Sequence, residues 1–443
     1  MILRSSRVVL PDAVRPASIH IDQGRIVRID DDPQVTLDAG WLVIAPGIVD
    51  THVHVNEPGR TDWEGFDTVT RAAAAGGVTT IVDMPLNAIP ATTTVEALEA
   101  KRTAARGNVH VDVGFWGGVV PGNAGELDGL VDAGARGFKC FLTPSGVDEF
   151  PHVDAADLRE AMPILRRREV PLLVHAEDPG TIADCGLRIG DSRVADYKSY
   201  AATRPAVAEV KAIELMVRLA REFGTRVHIV HVSSAEAVRV IAAAKTDGVP
   251  ITSETCPHYL TFAAEEIPDG ATEFKCAPPI RESHHRAALW WALADGTLDL
   301  IATDHSPAPP SMKSGGDFAR AWGGIASLEL SLPACADGIL GTQSNATVEK
   351  TAQLLAGWMS FAPARLAGLD ARKGRIATGY DADLVIWDAE AETTVDPARL
   401  QQRHKVTPYA GRALRGRVKA TFVRGTCVWN DGALAAARSG QLL

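Results

Sequence analysis

The middle of the chain alternates eight times between a short apolar run and a helical stretch rich in alanine. Strands of a parallel sheet that helices cover on both faces read as continuous apolar runs rather than as alternating ones. The predicted strands span residues 47–54, 79–85, 111–116, 136–142, 171–177, 226–232, 250–255 and 299–305. Eight strand–helix units in series predict an α/β fold, a (β/α)8 TIM-type barrel.

The two ends of the chain have a different character. Residues 1–47 and 373–443 contain short strands broken by turns, and we expect them to meet in one small β-sandwich-like domain, with the barrel over 48–372. A length of 443 residues exceeds an ordinary single domain, which agrees with a large unit plus a smaller one.

Charge and cysteine content limit the classes of partner. The formal net charge is −10 and no basic run stands out, which argues against a nucleic acid or an anionic membrane. The six cysteines are scattered without a Cys-x-x-Cys pair, as is typical of free thiols in a reducing compartment. Neither a secretory signal nor a membrane span is recognisable. We therefore expect a cytoplasmic protein that acts on a small molecule.

The first barrel strand ends in the motif DTHVHVNEPG at residues 50–59. Side chains alternate along a strand, so Asp50, His52 and His54 share one face. Two imidazoles at a strand end can bind a metal ion, and Asp50 would orient one of them. The alternative is a polar strand end satisfied by backbone or water, which is the more frequent case for an isolated His-x-His.

Other predicted strands also end in residues that can bind a metal. His175, His231 and Asp304 end strands 5, 6 and 8, and a barrel of this kind carries its chemistry at these ends. Four histidines and an aspartate exceed the ligands of one catalytic ion, so two metal ions are predicted. Lys139 in strand 4 is the exception, because an ammonium cannot bind a cation. A neutral amine could capture carbon dioxide and bridge two ions, but spacing alone favours a lysine paired with a glutamate.

Longer motifs run through nearly the whole chain. They include PGIVDTHVHVNEPGRTDWEGF, AAAAGGVTTIVDMPLN, GFKCFL, LLVHAE, HIVHVSSAEAV, ETCPHYL, KCAPPIR, DHSPAPPSMK and KGRIATGYDADLVIWD. By these motifs the sequence resembles the cyclic-amidohydrolase branch of the amidohydrolase superfamily and, within it, the allantoinases. The resemblance implies a metallohydrolase barrel that opens cyclic amides.

The resemblance also implies a ligand set and a mechanism. The ligands of two divalent ions would be His52, His54, Lys139, His175, His231 and Asp304. Carboxylated Lys139 would bridge the ions, which are expected to be zinc, with cobalt, manganese or iron as alternatives. A hydroxide that bridges the metals would attack the ring carbonyl, and Asp304 would be the catalytic residue that transfers the proton. Members of this branch are expected to be homo-oligomers, dimers or tetramers.

The substrate expectation rests on departures from related enzymes. Asn56 stands where dihydroorotases usually have an arginine, which disfavours a ring bearing a carboxylate. The run KCFLTPSG lacks the tyrosine that hydantoinases and dihydropyrimidinases usually have after the carboxylated lysine. Allantoin, a neutral ring of purine catabolism that opens to allantoate, is therefore the expected substrate. A hydantoinase or dihydropyrimidinase is the alternative, and a non-catalytic assembly protein of the same fold is disfavoured because every metal ligand is present.

Four residues in strand-end loops are expected to contact the substrate. They are Asn56, Asn87, Cys276 through its backbone, and Ser306. Each could equally be a residue that only shapes its loop.

Overall fold

The computed structural model describes residues 1–185, 194, 196–313, 315–341 and 345–443. The strands of this part of the chain are β1 (Ile2–Val9), β2 (Val14–Asp22), β3 (Arg25–Asp30), β4 (Leu37–Asp38), β5 (Val43–Pro46), β6 (Ile48–Val53), β7 (Val78–Asp83), β8 (Asp112–Phe115), β9 (Gly117–Gly118), β10 (Phe138–Phe141), β11 (Leu172–His175), β12 (Val227–Ile229), β13 (Ile251–Thr255), β14 (Leu300–Ile301), β15 (Leu384–Thr394), β16 (Ala413–Val423), β17 (Thr426–Asn430) and β18 (Ala433–Leu434).

Helices separate the strands of the middle section. They are α1 (Phe66–Ala75), α2 (Val95–Ala105), α3 (Leu127–Asp132), α4 (Ala155–Arg167), α5 (Pro179–Asp184), α6 (Tyr197–Ala202), α7 (Ala206–Phe223), α8 (Ala235–Thr246), α9 (Pro257–Thr261), α10 (Ser283–Ala294), α11 (Ser331–Leu340), α12 (Val348–Ala356) and α13 (Ala362–Leu366). Single 3-10 turns lie at Ala124–Glu126, Ala264–Glu266, Thr272–Phe274, Pro310–Met312, Leu328–Leu330 and Pro397–Arg399, and a π turn lies at Gly357–Phe361.

The central strands confirm the predicted barrel. Strands β6, β7 and β8 pair in parallel, and so do β9 through β14 in chain order. The third barrel strand is interrupted at Trp116, which separates β8 from β9. The last strand closes on the first through a parallel bridge between Val53 and His305. The His54 amide donates to the His305 carbonyl at 2.8 Å, and the His305 amide donates to the His52 carbonyl at 3.2 Å.

Helix α7 illustrates how a long helix packs on the barrel through one largely apolar face. Its buried residues recur at the spacing of one helical face, and they are Ala208, Glu209, Ala212, Ile213, Met216, Leu219 and Ala220. The helix ends at Gly224, whose φ of 67° is the left-handed conformation that stops a helix and that glycine adopts without steric strain. The chain can then turn directly into β12.

Both ends of the chain form one further sheet, in the order β18–β17–β16–β15–β5–β1–β2–β3, with β4 beside β1. The antiparallel pairing of β5 with β15 joins the N-terminal strands to the C-terminal ones. Residues from both ends of the chain share one core, among them Leu3, Ile19, Ile44, Leu384 and Phe422. The small β unit is thus built from both termini, as the sequence predicts, whereas the exact domain borders remain a prediction.

None of the helices in the described ranges is both long enough and apolar enough to cross a lipid bilayer. All six cysteines are free thiols, in agreement with their scattered spacing.

Candidate metal centre

The contact between the first and the last barrel strand brings three predicted ligands together. His52 lies in β6, His54 follows that strand, and Asp304 follows β14. The Nε2 atoms of His52 and His54 lie 3.1 and 3.3 Å from the same oxygen, Oδ1 of Asp304. One possible ligand atom from each residue lies within 4.8 Å of the others, and all three side chains are buried. These residues form a candidate metal-binding group.

A second group lies beside the first. His175 is the last residue of β11, and His231 follows β12. The His175 Nδ1 and His231 Nε2 atoms are 3.0 Å apart, with the two rings nearly perpendicular at 73°. The ring centroid of His231 is 5.5 Å from that of His52. The four predicted histidines therefore surround one volume at the carboxyl ends of the barrel strands.

Lys139 is buried in the same part of the barrel. It lies in β10 with an exposure of 0 %, and its Nζ finds no hydrogen-bond partner among the described residues. The Nζ lies 4.9 Å from the ring centroid of Phe141, and that ring stacks on His175. Burial lowers the pKa of the Lys139 amine to about 8, although the carboxylates of Asp304 and Glu254 oppose the shift. The lysine–glutamate pair that spacing alone favours is thus not found in the described part of the chain.

Two buried glutamates, neither of them predicted from the sequence, accept hydrogen bonds from histidines of the centre. Glu254 accepts hydrogen bonds from His52 Nδ1 and, at 3.0 Å, from His228 Nε2. Glu177 accepts a hydrogen bond of 2.7 Å from His175 Nε2. Glu177 follows His175 by two residues, so strand alternation could have indicated it. For Glu254, the only signal in the sequence is its position near the end of the seventh predicted strand.

Asp50 has a different role from the expected one. Its carboxylate accepts the backbone amides of His52 at 3.0 Å and of Thr303 at 3.3 Å. It therefore ties the first and last barrel strands together and fixes the His52 backbone rather than an imidazole ring.

The electrostatics of the centre favour a cation. Burial alone would lower the pKa of His52, but the carboxylates of Asp304 and Glu254 outweigh it and raise the pKa to about 9. Burial lowers the pKa of His54 to about 4 even though it also faces Asp304. Carboxylates that stabilise a proton on His52 would equally stabilise a metal ion bound to it.

The backbone is strained at four of the predicted site residues. Asn56, Asn87, His231 and Asp304 have φ values of 66°, 67°, 40° and 48°. Positive φ is uncommon for residues other than glycine, although asparagine and aspartate tolerate it better than most. Such strain is found preferentially at functional sites. The concentration of these conformations at the strand ends supports a functional role for this face of the barrel.

The four expected substrate residues lie in different settings. The Asn87 Nδ2 atom is 3.5 Å from His54 Nδ1, at the limit of a hydrogen bond. Asn56 is buried, its Nδ2 donates to the Pro307 carbonyl at 3.4 Å, and its Oδ1 has no partner among the described residues. The carbonyl of Cys276 accepts the Tyr200 hydroxyl at 2.7 Å. Ser306 is half-buried, and its amide donates to the Ile325 carbonyl at 3.0 Å. Of the four, Asn87 thus contacts a predicted metal ligand.

Comparison with known proteins identifies relatives along the whole chain. Residues 43–428 match the amidohydrolase family. The chain is 49% identical to the allantoinase of Streptomyces avermitilis, over 98% of this chain and 96% of that one. It is 41% identical to the allantoinase of Arabidopsis thaliana, over 99% of this chain and 90% of that one. The solved structure of the L-hydantoinase (dihydropyrimidinase) from Arthrobacter aurescens superposes with a TM-score of 0.93 at 32% identity, covering 100% of this chain and 98% of that one. The similarity extends over both the barrel and the terminal sheet.

Proposed function

The chain belongs to the amidohydrolase family, and we propose that it is an allantoinase, a metal-dependent hydrolase that opens the hydantoin ring of allantoin to give allantoate. The observation that carries the hydrolase assignment is the convergence of His52 and His54 on one oxygen of Asp304 at the carboxyl ends of the barrel strands. The choice of substrate is supported by full-length similarity to allantoinases.

We propose that two divalent ions, expected to be zinc, bind in this centre. The first would be held by His52, His54 and Asp304, and the second by His175 and His231, with Lys139 between them. The donor set fits such ions, since imidazole and carboxylate are ordinary ligands of zinc. The His231 Nδ1 and Lys139 Nζ atoms are buried without hydrogen bonds to described residues. Buried polar atoms usually have a partner, so these two atoms support the binding of a further group in the centre. When bound, a pair of divalent ions supplies Lewis acidity, which polarises a carbonyl group and makes water a stronger acid.

We propose that Lys139 is carboxylated when the ions are bound. Its amine is buried and has a lowered pKa, so the neutral form that reacts with carbon dioxide is accessible near neutral pH. Carboxylation would convert an amine that has no partner among the described residues into an anion, which can serve as a metal ligand. The unpartnered position of Nζ supports this role over that of a structural ion pair.

Asp304 is the proposed proton-transfer residue. It lies at the mouth of the barrel, and its side chain is 12% exposed, more than that of His52 or His54. Burial alone would raise the pKa of the Asp304 carboxyl, but the adjacent imidazoles hold it well below its usual range. An ionised carboxylate at this place can accept a proton from the attacking water and return it to the leaving ring nitrogen.

The surroundings of the centre suit a neutral ring. Asn56 and Asn87 offer amide groups, which can both donate to and accept from the ureido groups of allantoin. The nearby guanidinium of Arg60 donates to the Asn87 carbonyl at 2.8 Å and forms an ion pair with Glu149. Its charge is therefore already balanced, which disfavours a substrate that needs a free guanidinium for its carboxylate.

The alternative of a hydantoinase draws on the high structural similarity to the Arthrobacter aurescens enzyme. Its identity of 32% is lower than the 49% and 41% found for the two allantoinases, so allantoin remains the favoured substrate. A non-catalytic assembly protein is disfavoured because all six predicted ligands are present.

The test is a substrate panel of allantoin, hydantoin, dihydrouracil and dihydroorotate. The protein would be produced with bicarbonate and zinc, cobalt or manganese, and its metal content measured in parallel. Allantoin should be turned over fastest, chelation should remove the activity, and Asp304→Asn should lower it strongly. Faster turnover of hydantoin or dihydrouracil would refute the substrate assignment alone. A protein that neither binds metal nor hydrolyses any of the four rings would refute the hydrolase itself.

We further propose that the protein works in the cytoplasm as a dimer or tetramer. The six free thiols are compatible with a reducing compartment. Light scattering coupled to size-exclusion chromatography tests the assembly, and a monomer at working concentration would contradict it.

A further inference from the structure

Glu254 and Glu177 take no part in the reaction proposed above, yet each contacts a predicted metal ligand. We propose that they are positioning residues that serve different ions, so that Glu254 sets the affinity of a tighter site and Glu177 that of a weaker, exchangeable one. This inference rests on the proposed binuclear centre. The two metal sites would differ in affinity because different carboxylates are hydrogen-bonded to their histidine ligands.

Glu254 uses one oxygen for each of two imidazoles. Its Oε1 accepts His52 Nδ1–H, so Nε2 is the His52 nitrogen that faces the centre, 3.1 Å from Asp304 Oδ1. Its Oε2 lies 3.0 Å from His228 Nε2. The second nitrogen of His228, Nδ1, lies 2.8 Å from the Thr252 hydroxyl, so a neutral ring with its proton on Nε2 satisfies both contacts. No permanent cation bonded to Glu254 is found in the described ranges.

Glu177 is placed differently. A single oxygen, Oε2, accepts both His175 Nε2–H at 2.7 Å and the guanidinium of Arg204. The other oxygen, Oε1, is buried and has no partner among the residues described. Arg204 is itself buried and is always charged. The negative charge that faces His175 is therefore shared with a permanent cation.

These two arrangements predict different ligand strengths. A carboxylate that accepts the far N–H of an imidazole raises its basicity and fixes its orientation. This effect is greater for Glu254, because Arg204 offsets the charge of Glu177. The Glu254 side also holds three predicted protein ligands, whereas the Glu177 side holds only His175 and His231 besides the shared lysine. The ion near His52 should therefore bind more tightly than the ion near His175.

The experiment is a metal titration of three variants that keep side-chain size. They are Glu254→Gln, Glu177→Gln and, as a matched control, Glu209→Gln. Glu209 is also a buried glutamate bonded to an arginine, Arg281, but its other partners are the hydroxyls of Ser233 and Ser234 and the Ser233 amide rather than an imidazole. Each metal-free protein is titrated with Co²⁺, and the bound metal per protomer and the visible cobalt spectrum are followed together.

The wild type should bind two ions in two distinguishable steps. Glu254→Gln should weaken the tighter step by about 10–100-fold, and Glu177→Gln the weaker step by about tenfold or less. Each variant should change a different part of the cobalt spectrum, and Glu209→Gln should titrate as the wild type does. If Glu254→Gln does not fold, Glu254→Asp keeps the charge and should show a smaller loss in the same step.

Equal weakening of both steps by Glu254→Gln and Glu177→Gln would overturn the inference, and so would unchanged titrations. A loss in Glu209→Gln as large as in the other two would also overturn it, because the effect would then belong to any buried glutamate. A wild type that binds two ions but leaves allantoin intact would refute the substrate and not this inference. A wild type that binds no metal would refute both the proposed metal-dependent hydrolase and this inference.

Discussion

Lys139 and Lys373 are both fully buried lysines, but their surroundings are opposite. The Nζ of Lys373 lies 2.8 Å from Asp112, 3.3 Å from Asp381 and 2.6 Å from Asp383. Burial alone would lower its pKa, but the carboxylates of Asp383 and Asp112 outweigh burial and raise it. The Nζ of Lys139 has no hydrogen-bond partner in the described chain, and its pKa falls to about 8. Burial of a charged residue thus does not reveal its role, whereas the balance of its partners does.

The two lysines also lie at opposite ends of the barrel. Asp112 is the first residue of β8, and Asp383 directly precedes β15 of the terminal sheet. Arg424, at the end of β16, also bonds Asp112. This cluster satisfies its own charges and joins the two structural units. The candidate metal centre at the carboxyl ends keeps polar atoms without partners among the described residues, which a purely structural cluster would not retain.

The largest effect is expected from Lys139→Ala. Activity toward allantoin should fall by about 10⁴-fold, or about 5 kcal/mol of activation free energy, because the proposed bridging ligand is lost. Thermal stability of the metal-free protein should not fall, because the amine has no hydrogen-bond partner among the described residues to lose. Bound metal should decrease, and short carboxylic acids should restore part of the activity. Full activity in the variant would exclude the bridge.

Lys373→Met should have the converse effect. Removing one partner of a buried ion pair typically destabilises a protein by about 3–5 kcal/mol. We expect that loss in the free energy of unfolding measured with denaturant, with turnover per folded molecule unchanged. The folded pKa of Lys373 is raised, so its stabilisation is complete below the unfolded pKa, about 10.4, and is lost as the pH rises through the higher folded value. The stability gap between wild type and variant should therefore be constant from pH 6 to 9.

The same chemical change at the two clusters provides a matched pair. Asp304→Asn should lower turnover of allantoin by about 10²–10³-fold, because an amide cannot accept the proton. Its effect on the stability of the metal-free protein should be small, since asparagine tolerates the φ of 48° at this position. Asp383→Asn should leave turnover intact and lower stability by about 1–3 kcal/mol. If both variants changed the same property, the proposed separation of roles would be wrong.

The smallest effect concerns pH. With a pKa of about 8, the fraction of neutral Lys139 should rise about fivefold between pH 7 and pH 8. At constant dissolved carbon dioxide, metal-free protein should regain activity with zinc faster at pH 8 by about that factor. Lys373→Met should show the same dependence. A rate that does not change with pH would mean that amine deprotonation does not limit carboxylation.

The local sequence pattern predicts the fold, but it does not predict every contact of the candidate site. Apolar runs predicted the barrel strands closely, as with 79–85 against the observed Val78–Asp83. The eighth strand is shorter than predicted, because β14 ends at Ile301 and the chain turns at Asp304 with positive φ. Strand ends also indicated which residues face the centre.

The missed contacts join residues that are far apart in the chain. Glu254 and His52 are separated by 202 positions, and Lys373 and Asp112 by 261. No periodicity within a strand or helix encodes such pairs. They depend on the register and closure of the whole barrel, which a single sequence does not specify.

The contact between the first and the last barrel strand lies beside the candidate metal centre and affects how that centre assembles. The Thr303 hydroxyl reaches the His52 carbonyl at 3.4 Å across 251 residues of chain, beside the histidines and aspartate that would hold the first ion. An ion bound there would connect the first strand of the barrel to the last one. Because binding free energy at such a site is also folding free energy, metal affinity would include the work of closing the ring. Metal loading would then be a late event in the maturation of the protein, and release of the ion would be the first step by which the ring reopens.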